Sequence, residues 1–310
     1  MDTDYYLGID VGGTKITAVL ATGKGHIKRK IETKTRKFQG VSDLIGQIHS
    51  LSEEFDDYRR ISVIFPAPIS KKGIALFAPN LIGWGKVNIK EKLKEVFHRN
   101  VYVENDATAQ AISVKVFDKG KRFGNFIYLV VGTGIGGGIF VNNKIYRGGN
   151  GYAGELGHTV ILANGPVCGC GRRGCLEALA SGRAMTRRAM ENSREIMNSP
   201  FLSSIPLERL TAEDLFSGRK VGDPFSTLLV DETMYYLSVA ISNFINAFDP
   251  EAIFMAGGLM KNDPSIISEL KESVDHELGS YYRDVPIMKV AEKTVELAPV
   301  ALAIYESLKH

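Results

Sequence analysis

The apolar run from Phe126 to Val131 is followed directly by Gly132-Thr133-Gly134-Ile135-Gly136-Gly137-Gly138, which we call the glycine turn. A second motif is Gly151-Tyr152-Ala153-Gly154-Glu155-Leu156-Gly157-His158. A third is Cys168-Gly169-Cys170-Gly171-Arg172-Arg173-Gly174-Cys175-Leu176-Glu177, whose part from Cys168 to Cys175 we call the cysteine loop. Glycines at a strand end, polar side chains among glycines and clustered cysteines are each typical of a different kind of binding site.

The cysteine loop holds all three cysteines of the chain within eight positions, and His158 precedes Cys168 by ten residues. Three thiolates and one imidazole form a closed, tetrahedral zinc site of the structural kind. The alternatives are three buried apolar thiols, or one disulfide and one spare thiol. No secretory signal opens the chain, which favours a reducing compartment and disfavours the disulfide. The spacing predicts structural Zn²⁺ bound by His158, Cys168, Cys170 and Cys175.

The glycine turn contains the spacing G-x-G-x-x-G, with Gly132, Gly134 and Gly137. A dinucleotide site with this spacing requires a helix immediately afterwards. Here the residues from Ile139 to Tyr146 show a strand–turn–strand pattern, so the dinucleotide interpretation fails. Such a turn can still offer bare N–H groups and the Thr133 hydroxyl to a phosphate. A tight hairpin without a ligand is the alternative.

The length of 310 residues indicates two domains of ordinary size. The formal charge of +3 gives no sign of a basic surface that would bind nucleic acid. No apolar run reaches the length needed to span a membrane. We expect a cytoplasmic protein whose partners include neither nucleic acid nor membrane.

A buried strand, Tyr5 to Asp10, ends in a carboxylate that glycines and Thr14 follow. In this arrangement the carboxylate can hold the waters of a magnesium ion, while N–H groups and the Thr14 hydroxyl meet phosphate oxygens. An ordinary Asp-Gly hairpin turn is the alternative, and for this motif alone it is the commoner one. The spacing of a P-loop is missing.

A second junction of this kind lies where the predicted strand Val101 to Glu104 delivers Asn105-Asp106 to a helix that starts at Ala107. Asn or Asp there is most often an N-cap, although a functional carboxylate fits as well. Each half of the chain shows hairpin strands first and then alternating helix and strand, without a sequence repeat. The pattern indicates an α/β protein.

These motifs, in this order along the full chain, resemble the ROK family of sugar kinases, most closely its ATP-dependent glucokinase and hexokinase members. The resemblance implies two actin-like, ribonuclease-H-like ATPase domains with a cleft between them. The first domain would comprise residues 1–116 with the final helix, 299–310, returning to it. The second would comprise residues 117–298 with the zinc site.

The resemblance also implies roles for individual residues. Asp106 would be the general base that takes the proton from the sugar's 6-hydroxyl. The residues that would bind the sugar are Asn80, Asn105, Asp106, Glu155, His158 and Glu177. Those that would bind ATP and Mg²⁺ are Asp10, Gly12, Gly13, Thr14, Lys15, Gly132, Thr133, Gly134, Gly257 and Gly258. One departure is Ala67, where the family usually has glycine, so alanine would cost about 1 kcal/mol if that position needed a positive φ.

We therefore predict a phosphotransferase of carbohydrate metabolism and glycolysis, which phosphorylates a hexose, first of all glucose, at the 6-hydroxyl with ATP. An N-acetylmannosamine kinase or a fructokinase of the same family is the alternative substrate class. A sugar-sensing repressor is the non-enzymatic alternative. It is disfavoured because repressors carry a winged-helix segment ahead of this part, whereas Asp10 lies almost at the start here. The family also leads us to expect a homodimer or homotetramer.

Overall fold

The structure is a computed structural model that describes residues 4–36, 40–76, 86–262, 265–281 and 283–308. Its strands are β1 (Tyr5–Val11), β2 (Lys15–Thr22), β3 (Ile27–Lys34), β4 (Tyr58–Phe65), β5 (Ile74–Ala75), β6 (Val87–Asn88), β7 (Val101–Asn105), β8 (Phe126–Val131), β9 (Ile135–Val141), β10 (Lys144–Ile145), β11 (Ala252–Ala256) and β12 (Ile287–Lys289). Its α-helices are α1 (Val41–Ser52), α2 (Ile89–Phe97), α3 (Asp106–Phe117), α4 (Leu176–Ala180), α5 (Gly182–Glu191), α6 (Ser193–Asn198), α7 (Ala212–Lys220), α8 (Pro224–Phe248), α9 (Leu259–Asn262), α10 (Ile266–Leu278), α11 (Glu292–Glu296) and α12 (Ala298–Ser307).

Two five-stranded sheets repeat the same topology. Their strand orders are β3-β2-β1-β4-β7 and β10-β9-β8-β11-β12. In each sheet the first strand of the half occupies the centre, with the hairpin strands on one side and two parallel strands on the other. The α/β class and the order shared by the two halves, both predicted from the sequence, are confirmed.

The chain forms two compact units. Unit 1 contains residues 1–124, 138–154 and 290–310, and unit 2 contains residues 125–137 and 155–289. The division predicted from the sequence, with a boundary after residue 116, differs from these units in assigning residues 117–124, 138–154 and 290–298 to the second domain. That domain boundary stays a prediction.

In unit 1, helix α12 packs against β1 and β4. The two elements approach so closely that a side chain on Gly8 would place its Cβ 2.4 Å from the backbone nitrogen of Val300. The hydroxyl of Ser62 on β4 donates a hydrogen bond to the carbonyl of Pro299. Gly8 therefore allows the last helix to pack closely on the sheet, and Ser62 adds a hydrogen bond to it.

Unit 2 is mostly helical around its parallel strands. Helix α8 begins as its sequence predicts, because Asp223 accepts a hydrogen bond from the N–H of Ser226 and Pro224 occupies the first turn. The sequence over 178–197 predicts one long helix broken only by Gly182, and this prediction is wrong: the chain also breaks at Asn192 and forms three helices. No helix among the described residues combines the length and apolar character that crossing a bilayer requires.

Candidate functional site

In unit 1, the carboxyl ends of three parallel strands bring the acidic residues to one edge of the sheet. Strands β1, β4 and β7 are neighbours, and Ile64 of β4 is the register partner of both Asp10 and Glu104. Asp106 follows β7 directly, so it lies at the same edge as Asp10. Ligands of open α/β sheets bind outside this edge.

Asn105 is the N-cap of helix α3, and Asp106 is the first helical residue. The Asn105 Oδ1 accepts from the N–H of Thr108 at 3.1 Å, which is the hydrogen bond of a helix cap. The Asn105 Nδ2 donates to Oδ1 of Asp106 at 3.0 Å and to the carbonyl of Ala67 at 3.3 Å. The helix is therefore capped without Asp106, whose carboxylate is instead oriented by Asn105.

Burial raises the pKa of both aspartates at this edge. The pKa of Asp106 is raised from 3.8 to about 6, although hydrogen bonds from the N–H of Ala107 and from Asn105 oppose the increase. Burial and then the neighbouring Asp106 raise the pKa of Asp10 to about 7, while Lys15 lowers it. A carboxylate with a pKa near 6 is well suited to accept a proton at neutral pH.

The turn after β1 presents backbone donors. Gly13, Thr14 and Lys15 are exposed, and the turn is closed by a hydrogen bond from the N–H of Gly12 to the carbonyl of Lys15 at 2.9 Å. Within the described part of the chain, no group accepts from the N–H groups of Gly13 and Thr14. Two adjacent N–H groups that lack a protein acceptor are suited to bind an anion.

The loop after β4 accepts alanine without strain. Ala67 is buried and does not belong to the non-glycine residues with positive φ in the described chain. The expectation that Ala67 could be costly therefore does not hold here, because the φ that favours glycine is not adopted. Asn80, predicted to bind the sugar, lies outside the described residues.

A buried ion-pair network adjoins Asp106, and no role for it was predicted from the sequence. The Arg147 Nε lies 2.7 Å from Oε2 of Glu104, and Nη2 lies 2.8 Å from Oε1 of Glu306. The other oxygen of Glu104 accepts from the N–H of Asn105 at 3.1 Å. The sequence feature that could have indicated this network is Glu104 itself, because a carboxylate inside an apolar strand needs a partner.

Replacement of Arg147 by methionine is expected to lower the free energy of unfolding by about 3 kcal/mol. This is the low end of the range for one-sided loss of a buried pair, because Arg147 retains 22% exposure whereas Glu104 retains 5%. Burial already raises the pKa of Glu104, and loss of the cation raises it further. The loss of stability should therefore be small below about pH 4.5 and grow as Glu104 ionises at higher pH.

Thermal unfolding of this variant at pH 5 and pH 8 tests the expectation, with a decrease in Tm of roughly 6–12 °C at pH 8. Arg147→Lys, which keeps the charge, and the double variant Arg147→Met with Glu104→Gln, which removes both charges, should each recover much of the loss. An unchanged Tm at both pH values would contradict it.

In unit 2, two glycine-containing segments follow neighbouring parallel strands. The glycine turn follows β8, and Gly257-Gly258 follows β11, whose Ala256 is the register partner of Val130. Gly257 has a φ of +106°, and a Cβ there would lie 2.1 Å from the carbonyl oxygen of Val131. Glycine is therefore required at this close approach of the two strand ends.

The glycine turn leads into strand β9 and not into a helix, as the strand–turn–strand pattern predicts. Asn142 and Asn143 both have positive φ and connect β9 to β10, as the hairpin pattern predicted. In the described chain no group accepts from the N–H groups of Thr133 and Gly134. The glycine turn thus offers two adjacent donors, as does the turn after β1.

The four predicted metal ligands converge in unit 2. The ligand atoms of His158, Cys168, Cys170 and Cys175 all lie within 4.8 Å of one another. The Nδ1 of His158 is 3.6 Å from Sγ of Cys168, and Sγ of Cys170 is 3.7 Å from Sγ of Cys175. A tetrahedral zinc ion, with Zn–S of about 2.3 Å and Zn–N of about 2.0–2.1 Å, requires separations of about 3.6 Å and about 3.8 Å for such pairs. The donor set and its dimensions fit zinc.

Of the three residues of unit 2 that are predicted to bind the sugar, His158 belongs to this cluster, and Glu155 and Glu177 lie close to its members in the sequence. Glu155 is exposed and precedes the 3₁₀ turn Leu156–His158. Because Nδ1 of His158 faces the cysteines, Nε2 remains for another partner. Glu177 lies two residues after Cys175, and its Oε2 accepts from the N–H of Ile135 at 2.9 Å.

The described residues thus provide a base-like carboxylate and a second carboxylate in unit 1, donor-rich turns in both units and a metal-ligand cluster in unit 2. The profile of the ROK family matches residues 6–301. The chain belongs to the ROK family. It is 35% identical over 287 residues to a glucokinase of Halalkalibacterium halodurans, covering 88% of this chain and 86% of that protein.

Two solved structures of the ROK family have the same fold. A ROK hexokinase from Thermus thermophilus superposes with a TM-score of 0.84 at 29% identity, covering 99% of this chain and 100% of that chain. A ROK glucokinase from Streptomyces griseus, in complex with glucose and AMPPNP, superposes with a TM-score of 0.82 at 26% identity, again with 99% and 100% coverage. The expected fold, two actin-like ATPase domains of the sugar-kinase type, is confirmed.

Relatives of other kinds are similar to this ROK chain as well. A xylose repressor of Bacillus subtilis is 29% identical over 294 residues, which are 91% of this chain and 72% of the repressor. An N-acetylmannosamine kinase of Haemophilus influenzae is 28% identical over 255 residues, 82% of this chain and 80% of that protein. Membership of the family alone therefore does not determine the substrate.

Proposed function

We propose that this ROK protein is an ATP- and Mg²⁺-dependent hexose kinase that phosphorylates glucose at its 6-hydroxyl. The observation on which the proposal rests is Asp106, a carboxylate with a pKa of about 6 that is not needed as a helix cap. Glucokinases and hexokinases among the similar proteins support the substrate class. A repressor that only binds a sugar has no need of a base.

Asp106 accepts the proton of the 6-hydroxyl while the hydroxyl oxygen forms its bond to the γ-phosphorus. The bond from the γ-phosphorus to the bridging oxygen breaks, and ADP leaves with that oxygen. Most of the rate enhancement in phosphoryl transfer comes from positioning and from stabilisation of charge. Asn105 contributes to positioning, because its amide holds the Asp106 carboxylate from the side.

ATP and Mg²⁺ are assigned to the turns with free donors. Asp10 would hold the waters of Mg²⁺, and the N–H groups of the turn after β1 and of the glycine turn would donate to phosphate oxygens. The residues assigned to the nucleotide are Asp10, Gly12, Gly13, Thr14, Lys15, Gly132, Thr133, Gly134, Gly257 and Gly258. Mg²⁺ held there would supply neutralisation of the charge that develops on the transferring phosphate.

The sugar is assigned to groups that form directional hydrogen bonds, namely Asn80, Asn105, Asp106, Glu155, His158 and Glu177. Carboxylates accept from hydroxyls, whereas amides and imidazoles can donate or accept. A site of this kind rejects analogues that lack a hydroxyl more strongly than analogues that differ by a methylene. Structural Zn²⁺ held by the four convergent ligands would fix the orientation of His158 and would take no part in the chemistry.

A coupled assay for ADP release tests the activity across glucose, mannose, fructose and their N-acetylated amines. We expect the highest kcat/KM with glucose. Turnover of N-acetylmannosamine alone, or of fructose alone, would replace the substrate assignment by one of the two alternatives. No turnover of any sugar, together with sugar-dependent DNA binding by the protein, would favour the repressor. The expected homodimer or homotetramer stays a prediction for light scattering.

The kinase should lose activity in acid because its base must be ionised. With saturating Mg·ATP, kcat/KM for the sugar is expected to fall about tenfold per pH unit below an apparent pKa near 6, which is the pKa of Asp106. Above about pH 7 the profile should be flat on this limb. Because Asp10 lies close by, the measured pKa belongs to the coupled pair. A profile that stays flat down to pH 5 would contradict this role of Asp106.

A further inference from the structure

We propose that Glu177 is a positioning residue that holds the glycine turn in its phosphate-binding shape and connects it to the cysteine loop. The inference deepens the proposed kinase function and rests on it. It adds to the sugar contact assigned to Glu177 a second task, performed through the backbone of Ile135.

The first observation is the direct contact between Glu177 and the glycine turn. Oε2 of Glu177 accepts from the N–H of Ile135 at 2.9 Å. A Cβ on Gly134 would lie only 2.5 Å from the same oxygen, so the carboxylate fills the space beside Gly134. Because this charged acceptor satisfies the N–H of Ile135, it fixes the backbone next to the two free donors of Thr133 and Gly134.

The second observation is that the residues after Glu177 hold the other side of the turn. The N–H of Gly182 donates to the carbonyl of Gly132 at 2.8 Å, and the N–H of Arg183 donates to the carbonyl of Thr133 at 3.4 Å. A Cβ on Gly182 would already lie 3.0 Å from the Gly132 carbonyl oxygen. One short segment after the last cysteine therefore contacts the glycine turn between Gly132 and Ile135.

The third observation connects this segment to the metal ligands. Oε1 of Glu177 lies 4.0 Å from Sγ of Cys168. On the other face, the carbonyl oxygen of Ile135 faces Gly157, where a Cβ would lie at 2.1 Å, and the ligand His158 comes next. The peptide groups on both sides of Ile135 thus contact residues that lie one or two positions from proposed metal ligands. Displacement of the cysteine loop should therefore displace the glycine turn.

Three substitutions of Glu177 separate the proposed task from sugar binding. Glu177→Ala removes the acceptor, whereas Glu177→Gln keeps an oxygen that can accept from Ile135 but removes the charge. Glu177→Asp keeps the charge and is too short to reach. Loss of the negative charge should by itself strengthen the binding of a polyphosphate equally in Glu177→Ala and Glu177→Gln. A difference in Kd between these two variants therefore measures the contribution of the hydrogen bond. Glu195→Ala, an exposed charge on α6, is the matched control.

The measurement is the Kd for Mg·ADP by calorimetry in the absence of sugar, with zinc content and Tm determined for each protein. We expect Kd to rise about tenfold for the Asp variant, the size of one hydrogen bond to a charged acceptor, and to rise less for the Ala variant, because loss of the negative charge offsets part of the effect. It should stay within about threefold for Gln and unchanged for Glu195→Ala. Removal of zinc by a chelator should weaken Mg·ADP binding in the wild type more than in Glu177→Ala.

Mg·ADP binding within about twofold of wild type for both Ala and Asp would overturn the proposal, and leave Glu177 as a sugar ligand only. If the Ala variant loses zinc or unfolds, the Asp variant decides, because it keeps the carboxylate near Cys168. Failure of the kinase proposal is seen separately, as a wild-type protein that phosphorylates no hexose.

Discussion

Asp106→Asn is expected to lower kcat by at least about a hundredfold, since positioned bases contribute about 10²–10⁴-fold. Asparagine has nearly the same size and keeps the hydrogen bond from Asn105, but it cannot take the proton of the 6-hydroxyl. The sugar Kd should stay within a few-fold, because the amide can still bond to a hydroxyl. Steady-state kinetics with glucose, together with the Kd of glucose, check both parts.

The stability of this variant distinguishes a base from a structural carboxylate. The folded-state pKa of Asp106 is raised above its ordinary value, so its ionisation at pH 8 disfavours the folded protein. The Tm of Asp106→Asn at pH 8 should therefore equal or exceed that of the wild type. Asn105→Ala provides the contrast, because loss of the actual cap costs about 1 kcal/mol. A stable Asp106→Asn enzyme with near-normal kcat would falsify the role of the base.

The parts of the fold that the sequence predicted well depend on local patterns. Asp10 lies near the end of β1 and Asp106 directly follows β7, and the carboxyl ends of neighbouring parallel strands lie on the same side of a sheet by geometry alone. The hairpin after the glycine turn was predicted from a strand–turn–strand pattern, and the structure shows positive φ at Asn142 and Asn143 in its turn. The convergence of His158 with the three cysteines could be predicted because their spacing and chemistry restrict the possibilities.

The parts that could not be predicted depend on contacts between distant segments. Nothing near Arg147 in the sequence indicates Glu104 or Glu306 as its partners. The bond between Glu177 and Ile135 joins residues 42 positions apart, and its only trace in the sequence is glycine at position 134. The break at Asn192 follows from a helix end whose backbone N–H is satisfied by the carbonyl of Ala189. Propensity alone is a weak guide to such breaks.

Cys170→Ser is expected to reduce bound zinc from one ion per chain, and to weaken sugar binding and lower Tm together. Cys170 is the exposed ligand, so its loss opens the cluster and leaves Cys168 and Cys175 buried. Loss of a structural metal belongs to the substitutions that cost more than about 4 kcal/mol. At about 2–4 °C per kcal/mol, the decrease in Tm should be on the order of 10 °C.

Gly169→Ser is the matched control, since it introduces the same hydroxyl one residue earlier in the cysteine loop. A Cβ on Gly169 has no neighbour within 4 Å, so the control should retain zinc, Tm and glucose affinity. Zinc binds deprotonated thiolates at a site that forms only when the loop is folded, so metal affinity and folding are coupled in this loop. Zinc content, Tm and glucose affinity should therefore all decrease in Cys170→Ser and should all stay unchanged in Gly169→Ser. Metal analysis, thermal unfolding and glucose titration measure these three quantities. A zinc-free wild-type protein with full activity and Tm would contradict both the metal site and its support of His158.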